Sequence, residues 1–178
     1  MALFVVLSVF SGLKEFSLSF TNEIDPDLKA TPTLGKSFFV TPKQDQEIKK
    51  IAGIASFSKI IEERVLFTFA DKQEVTYLKG VDTQFTKVNA NKKKLYNGQW
   101  LQPNTYQVVV GYGMAQKFSM GLFDYNTALE VMVPRPGKGT ITIPSEAFNQ
   151  TDLIPIGIYS ISEDLDSKYV FADLGLAQ

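Results

Sequence analysis

The chain has 178 residues, 44% of them hydrophobic and 21% charged, with 14 Phe and 7 Tyr, a composition that builds a packed core burying roughly two thirds of the unfolded surface and excludes a disordered chain. Its 18 basic and 19 acidic residues leave a net charge of -1, so no positive excess is available for a phosphate backbone and nucleic acid is excluded as a partner. There is no His and no Cys, which removes the usual base near neutral pH, the cysteine nucleophile, the Ser-His-Asp triad and the imidazole and thiolate metal ligands, and points to a binding protein without cofactor or metal.

From Ala2 to Phe10 the sequence is uncharged, and its character changes at Gly12. As a helix this run covers about 13 Å, less than half of a bilayer's hydrocarbon core. It lacks the basic region and small-residue cleavage site of a signal peptide. Three readings remain: a buried core helix, the last turns of a transmembrane helix leaving the membrane near Gly12, and a trimmed signal sequence. Asp25-Pro26-Asp27 ends this unit, because Pro offers no amide and disfavours helix in the residue before it. Residues 1–24 are thus read as a helix and 25–178 as the domain proper.

An extended segment over Leu28 to Thr33 leads to a turn at Gly35 and to Ser37-Phe38-Phe39-Val40. Thr41-Pro42-Lys43-Gln44 is a capping box with Pro at the first helical position, and Ile48, Ile51 and Ala52 give that helix an apolar stripe ended by Gly53. Ile61, Glu63, Val65, Phe67 and Phe69 share one face of a strand, which turns at Asp71-Lys72 and returns through Val75, Tyr77 and Lys79 as a hairpin closed by Gly80-Val81-Asp82. Thr83 to Asn104 is weakly periodic and reads as a helix or loop layer anchored by Leu95, Tyr96, Trp100 and Leu101.

Val108-Val109-Val110 is the continuous apolar run of a strand buried on both faces, and Met114, Ala115 and Phe118 mark a short helix after it. Strands are predicted at Leu129 to Val133, Ile154 to Tyr159 and Tyr169 to Phe171, with the opening of a helix from Ala172. A second hairpin lies within Pro134 to Gln150, its arms being Thr140 to Ile143 and the residues before Pro134. Strands and short helices alternate without a βαβ rhythm, so the class is α+β with mixed sheets.

Several chemical motifs reduce to structure. Gly111-Tyr112-Gly113 after a strand resembles a dinucleotide turn, but Gln116 replaces the third glycine. Arg135-Pro136-Gly137-Lys138-Gly139-Thr140 has the residues of a phosphate loop in the wrong order. Asp25/Asp27 and Asp164/Asp166 lack the oxygen spacing of a calcium loop and read as turn formers. Glu62 and Glu63 point to opposite faces of a strand and cannot share a substrate. Lys92-Lys93-Lys94 reads as a solvated loop, and Asn149-Gln150-Thr151 is a formal glycosylation acceptor. The best binding candidate is the second hairpin, whose exposed β-branched arm is a docking edge or a liability.

Gly80-Val81-Asp82, Val109-Val110-Gly111 with Met114-Ala115, Gly121-Leu122-Phe123-Asp124, Val131-Met132-Val133-Pro134, Ile143-Pro144-Ser145, Ile156-Gly157-Ile158-Tyr159, and Asp166 ahead of Tyr169-Val170-Phe171 form an ordered set. Together they resemble the MacB/FtsX-like ABC transporter permeases, most closely the lipoprotein-releasing LolC/LolE type. The resemblance implies a domain facing the periplasm from the bacterial inner membrane, with a porter-like and a smaller Sabre subdomain, between the first and second transmembrane helices. Ala2 to Phe10 becomes the outer end of the first of these, its apolar faces expected to pack on the domain or on a neighbouring copy, and the chain is expected to continue past Gln178.

The resemblance also implies a cytoplasmic ATPase subunit, a second permease copy or homologue, lipoprotein cargo and a LolA-like chaperone. The chaperone-docking hook falls on Arg135, Pro136, Gly137, Lys138, Gly139, Thr140, Ile141, Thr142, Ile143 and Pro144. The neighbouring pad includes Glu130 and Glu146. Here Glu146-Ala147 replaces a Gln-Arg pair, and Glu130 replaces a basic residue, so the docking charge pattern is changed. Two alternatives keep their place: an efflux or cell-division signalling permease of the same fold, and a secreted hydrolase working through paired carboxylates.

Overall fold

The computed structural model describes residues 3–13, 26–89, 94–122, 127–135 and 148–178. Helix α1 covers residues 3–13. There follow α2 (Pro42–Ile48), β1 (Ile60–Phe69), β2 (Lys72–Val81), α3 (Phe85–Val88), β3 (Leu95–Gly98), β4 (Gln107–Gly111), α4 (Tyr112–Phe118), β5 (Leu129–Pro134), β6 (Phe148–Tyr159), α5 (Glu163–Asp166), β7 (Tyr169–Asp173) and α6 (Leu174–Ala177). The seven strands among the described residues join one mixed sheet in the order β3-β6-β4-β7-β2-β1-β5, and β5 also pairs with β6. Those pairings close six strands into a ring and leave β3 outside it on β6. The β2/β7 and β4/β6 pairs are parallel and the others antiparallel.

Closure follows from where apolar residues fall. Val65, Phe67 and Phe69 of β1, Leu78 of β2, Val108 and Val110 of β4, Leu129 and Val131 of β5, Leu153 of β6 and Val170 of β7 form one buried cluster. Helix α4 adds Met114, Ala115 and Phe118 to it. The opposite faces of β4 and β7 bury Val109 and Phe171 in a second cluster with Val81, Phe85 and Tyr159, covered by Trp100 and Leu101. A strand covered on both sides needs no polar alternation, which is why Val108-Val109-Val110 is unbroken. Phe85 lies parallel to Trp100 with ring centres 6.4 Å apart, and Tyr159 meets Phe171 edge-on at 5.0 Å. Burial pushes the ionisation of Tyr159 upward, and its hydroxyl lies 2.8 Å from the carbonyl oxygens of both Leu165 and Tyr169.

The capping box is present: the Gln44 amide donates to the Thr41 hydroxyl, and the Thr41 amide donates to Gln44 Oε1 at 2.9 Å. The stripe predicted for this helix is not. Helix α2 stops at Ile48 and buries none of its residues, and Ile51 is exposed. The β1–β2 hairpin forms, but its returning face is shifted by one residue. Ala70 takes a left-handed φ of 52° in a tight turn that pairs Phe69 with Lys72 and Val65 with Thr76. Residues directly opposite on paired strands share a face, so Thr76, Leu78 and Gly80 turn inward while Val75, Tyr77 and Lys79 turn outward. Thr76 is tolerated inside because its hydroxyl donates to the Lys168 carbonyl. The segment read as a helix or loop layer contributes both α3 and the edge strand β3, with Tyr96 exposed.

Helix α1 does not pack on the sheet. Leu3, Phe4, Val5, Val6, Leu7, Val9, Phe10 and Leu13 are each between 55% and 77% exposed, and apolar side chains at nearly every position leave the helix no polar face to turn outward. No helix among the described residues is long and apolar enough to cross a membrane.

On the outer face of the β1–β2 hairpin, Lys79 Nζ sits 2.9 Å from Glu62 Oε1 and lies over the Tyr169 ring. Lys168 covers the same ring and that of Tyr77. Burial pushes the Glu62 carboxyl up, but the bond and charge of Lys79 outweigh it and hold Glu62 below its ordinary value of 4.5. A depressed carboxyl stabilises the fold above its unfolded pKa and loses that contribution as pH falls through the folded one. Glu62→Gln is therefore expected to lower stability by about 0.5–1 kcal/mol at pH 7. In paired thermal melts the difference from the parent should begin to shrink as pH falls below 4.5 and vanish once Glu62 is protonated in the folded state; a gap that does not shrink with falling pH would exclude Glu62 ionisation as its source.

Candidate partner-docking face

Strands β5 and β6 form the hairpin in which the binding candidates fall. Its register runs from Leu129 opposite Leu153 to Pro134 opposite Phe148. The arm returning against β5 is thus residues 148–153, not Thr140 to Ile143, which lie outside the described residues. So do Pro136, Gly137, Lys138, Gly139, Pro144 and Glu146. Of the predicted docking residues, Glu130 and Arg135 are described. Arg135 Nε donates to Asn149 Oδ1 at 2.7 Å across the hairpin's root. The glycosylation acceptor Asn149 is thereby committed inside a strand.

The two faces of this root differ. Inward, Val131 and Val133 line a cleft of about 180 Å³ with Leu78, Leu176, Glu63 and Asn149. Outward, Glu130 stands directly opposite Asp152 on β6 and Thr68 on β1. Thr68, Glu130 and Asp152 therefore form one row across three strands. Glu130 Oε1 and Thr68 Oγ1 are buried without a hydrogen-bond partner. Asp152 also borders an open depression lined by Tyr106, Gln150 and Thr151. Sequence reading singled out Glu130 but missed Thr68 and Asp152, because the returning arm was placed too early; the apolar spacing of Leu153 behind Thr151 was the signal for the true register.

The other motifs resolve into packing. Gly111 precedes α4 at an ordinary φ of -71°, but a side chain there would lie under 3.0 Å from the carbonyl oxygen, carbonyl carbon and Cα of Asp166. The space a dinucleotide phosphate needs is occupied by α5. Asp166 is buried, accepting from the Ile161 amide at 2.8 Å and the Ser160 hydroxyl at 3.0 Å, which is the turn-forming role expected of it. Glu62 and Glu63 lie on opposite faces, bound to Lys79 and Lys36 respectively.

No family model matches the chain, and no curated protein matches it. Solved structures do. The chain is similar to the extracellular domain of the noncanonic ABC-type transporter YknZ from Gram-positive bacteria, at a TM-score of 0.54 and 10% identity over 77% of this chain and 64% of that one. It is also similar to the periplasmic region of MacB from Actinobacillus actinomycetemcomitans, at a TM-score of 0.47 and 16% identity over 72% of this chain and 52% of that one. The chain spans less than two thirds of the length of either structure. The first likeness shows a shared fold: the α+β mixed sheet found here is similar to that of the YknZ domain.

Proposed function

We propose that this chain is the extracytoplasmic domain of an ABC transporter permease, held at a membrane through the helix that contains α1, and that it relays ATP-driven motion to a partner outside the membrane. The fold shared with the extracellular domain of an ABC-type transporter over 77% of the chain is the observation that carries this reading. A non-enzymatic role fits a chain with no His and no Cys. Transporters of this kind require an ATPase on the cytoplasmic side and a second permease, identical or homologous. The porter-like and Sabre divisions and a place in a bacterial inner membrane belong to the same proposal.

Within that class, the ordered motifs favour lipoprotein release, with Arg135 to Pro144 as the hook and Glu130 and Glu146 in the pad that meets a LolA-like chaperone. Binding of such a chaperone to the full chain, measured by calorimetry with and without residues 136–142, tests the hook. Loss of binding on deletion is expected, and unchanged binding sinks the assignment. The acidic Glu130 and Glu146 favour a second reading in which a different partner, an efflux adaptor or a wall-hydrolase regulator, uses the same face. Failure of the chaperone to bind the intact chain selects it.

A further inference from the structure

We infer that the hairpin of β5 with residues 148–153 of β6 is a lever, pivoting at Leu129 and Leu153 and opening as a unit against the rest of the ring. Burial falls along it from one end to the other. Leu129 and Leu153, directly opposite each other, are fully buried in the core, and Val131 is nearly so. Val133 is only partly buried, and Phe148, opposite Pro134 at the outer end, is exposed.

What joins this hairpin to the body is short. Its ladder to β1 covers three residues, Glu130 to Met132 against Leu66 to Thr68, whereas β1 and β2 pair along their whole length. Residues 148–153 pair with β5 alone among the described strands, because β4 joins β6 from Ile154 onward and β3 from Gly157. Pro134 has no amide with which to extend the β5 ladder along β1. Past Met132 the two strands part, and the cleft of about 180 Å³ between Val133, Glu63, Leu78 and Leu176 lies in the gap. Arg135 and Asn149 bond to each other across the hairpin, which stiffens it without tying it to the body. The β4/β7 ladder is equally short, but those strands are buried on both faces. The β1/β5 seam is therefore the one that yields, since local opening follows the segments with the least burial. What the lever is for rests on the reading above: a hairpin anchored at its core end turns strain in the sheet into displacement at its outer end, where that reading places the partner.

Native-state hydrogen exchange of the isotopically labelled full chain, in rising sub-denaturing urea, tests the lever. Amides of residues 130–133 and 149–153 are expected to open together, roughly a hundredfold less protected than those of β4 and β7, with the weak urea dependence of a local event. Val133→Phe, set over the cleft, should slow that exchange roughly tenfold, as cavity filling does, and leave β4 and β7 as they were. Leu66→Cys with Met132→Cys supplies a reversible lock across the seam. The two positions are directly opposite, close enough for a disulfide, and the chain has no cysteine of its own. Oxidation is expected to slow exchange of the hairpin at least tenfold, and reduction to restore the parent's rate. Hairpin amides as protected as those of β4 and β7 in the parent, faster exchange in Val133→Phe, or equal exchange in the oxidised and reduced double variant would each overturn the inference. Exchange is measured without a partner, so chaperone binding by a chain whose hairpin opens only on global unfolding removes the lever alone. Failed chaperone binding with local opening removes the hook and leaves the lever.

Discussion

Replacing Gly111 by alanine should destabilise the protein by about 3 kcal/mol, at the upper end of what overpacking does, and lower its melting temperature by roughly 6–12 °C for a chain of this size. The backbone at Gly111 is in an ordinary conformation, so the penalty is steric and not torsional. The new methyl meets backbone atoms of Asp166, which cannot rotate away. Asp166 cannot retreat either, since its carboxylate holds the Ile161 amide and the Ser160 hydroxyl and the residue is 4% exposed. Gly113→Ala is the graded control: the close atom there is the Ser167 hydroxyl oxygen, the free end of a side chain that can turn, so a smaller loss is expected. Gly121→Ala, which meets nothing within 4 Å, should change stability by less than about 0.5 kcal/mol. If Gly111→Ala melts with the parent, the close packing of α5 on this turn is wrong, and the space for a ligand at the glycine pair reopens.

That pair shows how far local pattern reaches. Two glycines between a buried strand and a helix are legible, and so is the absence of a third, but which surface presses on them depends on α5, more than fifty residues downstream in the sequence. Short-range signals were read correctly for the same reason that they are short-range. Thr41 and Gln44 cap α2 through bonds made within four residues, and the unbroken valines of β4 report two covered faces without naming what covers them. Register is the first thing to fail. Sequence alone could place a hairpin at residues 60–81, but the face of the returning strand is set by a two-residue turn in which Ala70 adopts a positive φ, a conformation alanine does not advertise. The same error in the second hairpin hid Asp152. Once β5 is known to pair with residues 148–153, the row from Thr68 to Asp152 follows at once.

Phe67→Ala tests that register and the closure of the sheet together. Phe67 is fully buried and sits where β1 is paired on both sides, opposite Glu74 of β2 and Val131 of β5. Truncating a buried phenylalanine costs about 3–5 kcal/mol through lost burial and the cavity left behind, and urea unfolding should show that loss as a lower midpoint with an unchanged slope. The cavity opens at the seam where β5 meets β1, so the amides of β5 and the first half of β6 are expected to lose hydrogen-exchange protection before those of β4 and β7, which are covered on both faces. Val75→Ala supplies the opposite limb. With Val75 52% exposed on the outer face, its truncation should change stability by well under about 1 kcal/mol. A comparable loss from both substitutions would return Val75 to the core, shift β2 by one residue against β1, and turn Thr76 and Leu78 out to solvent.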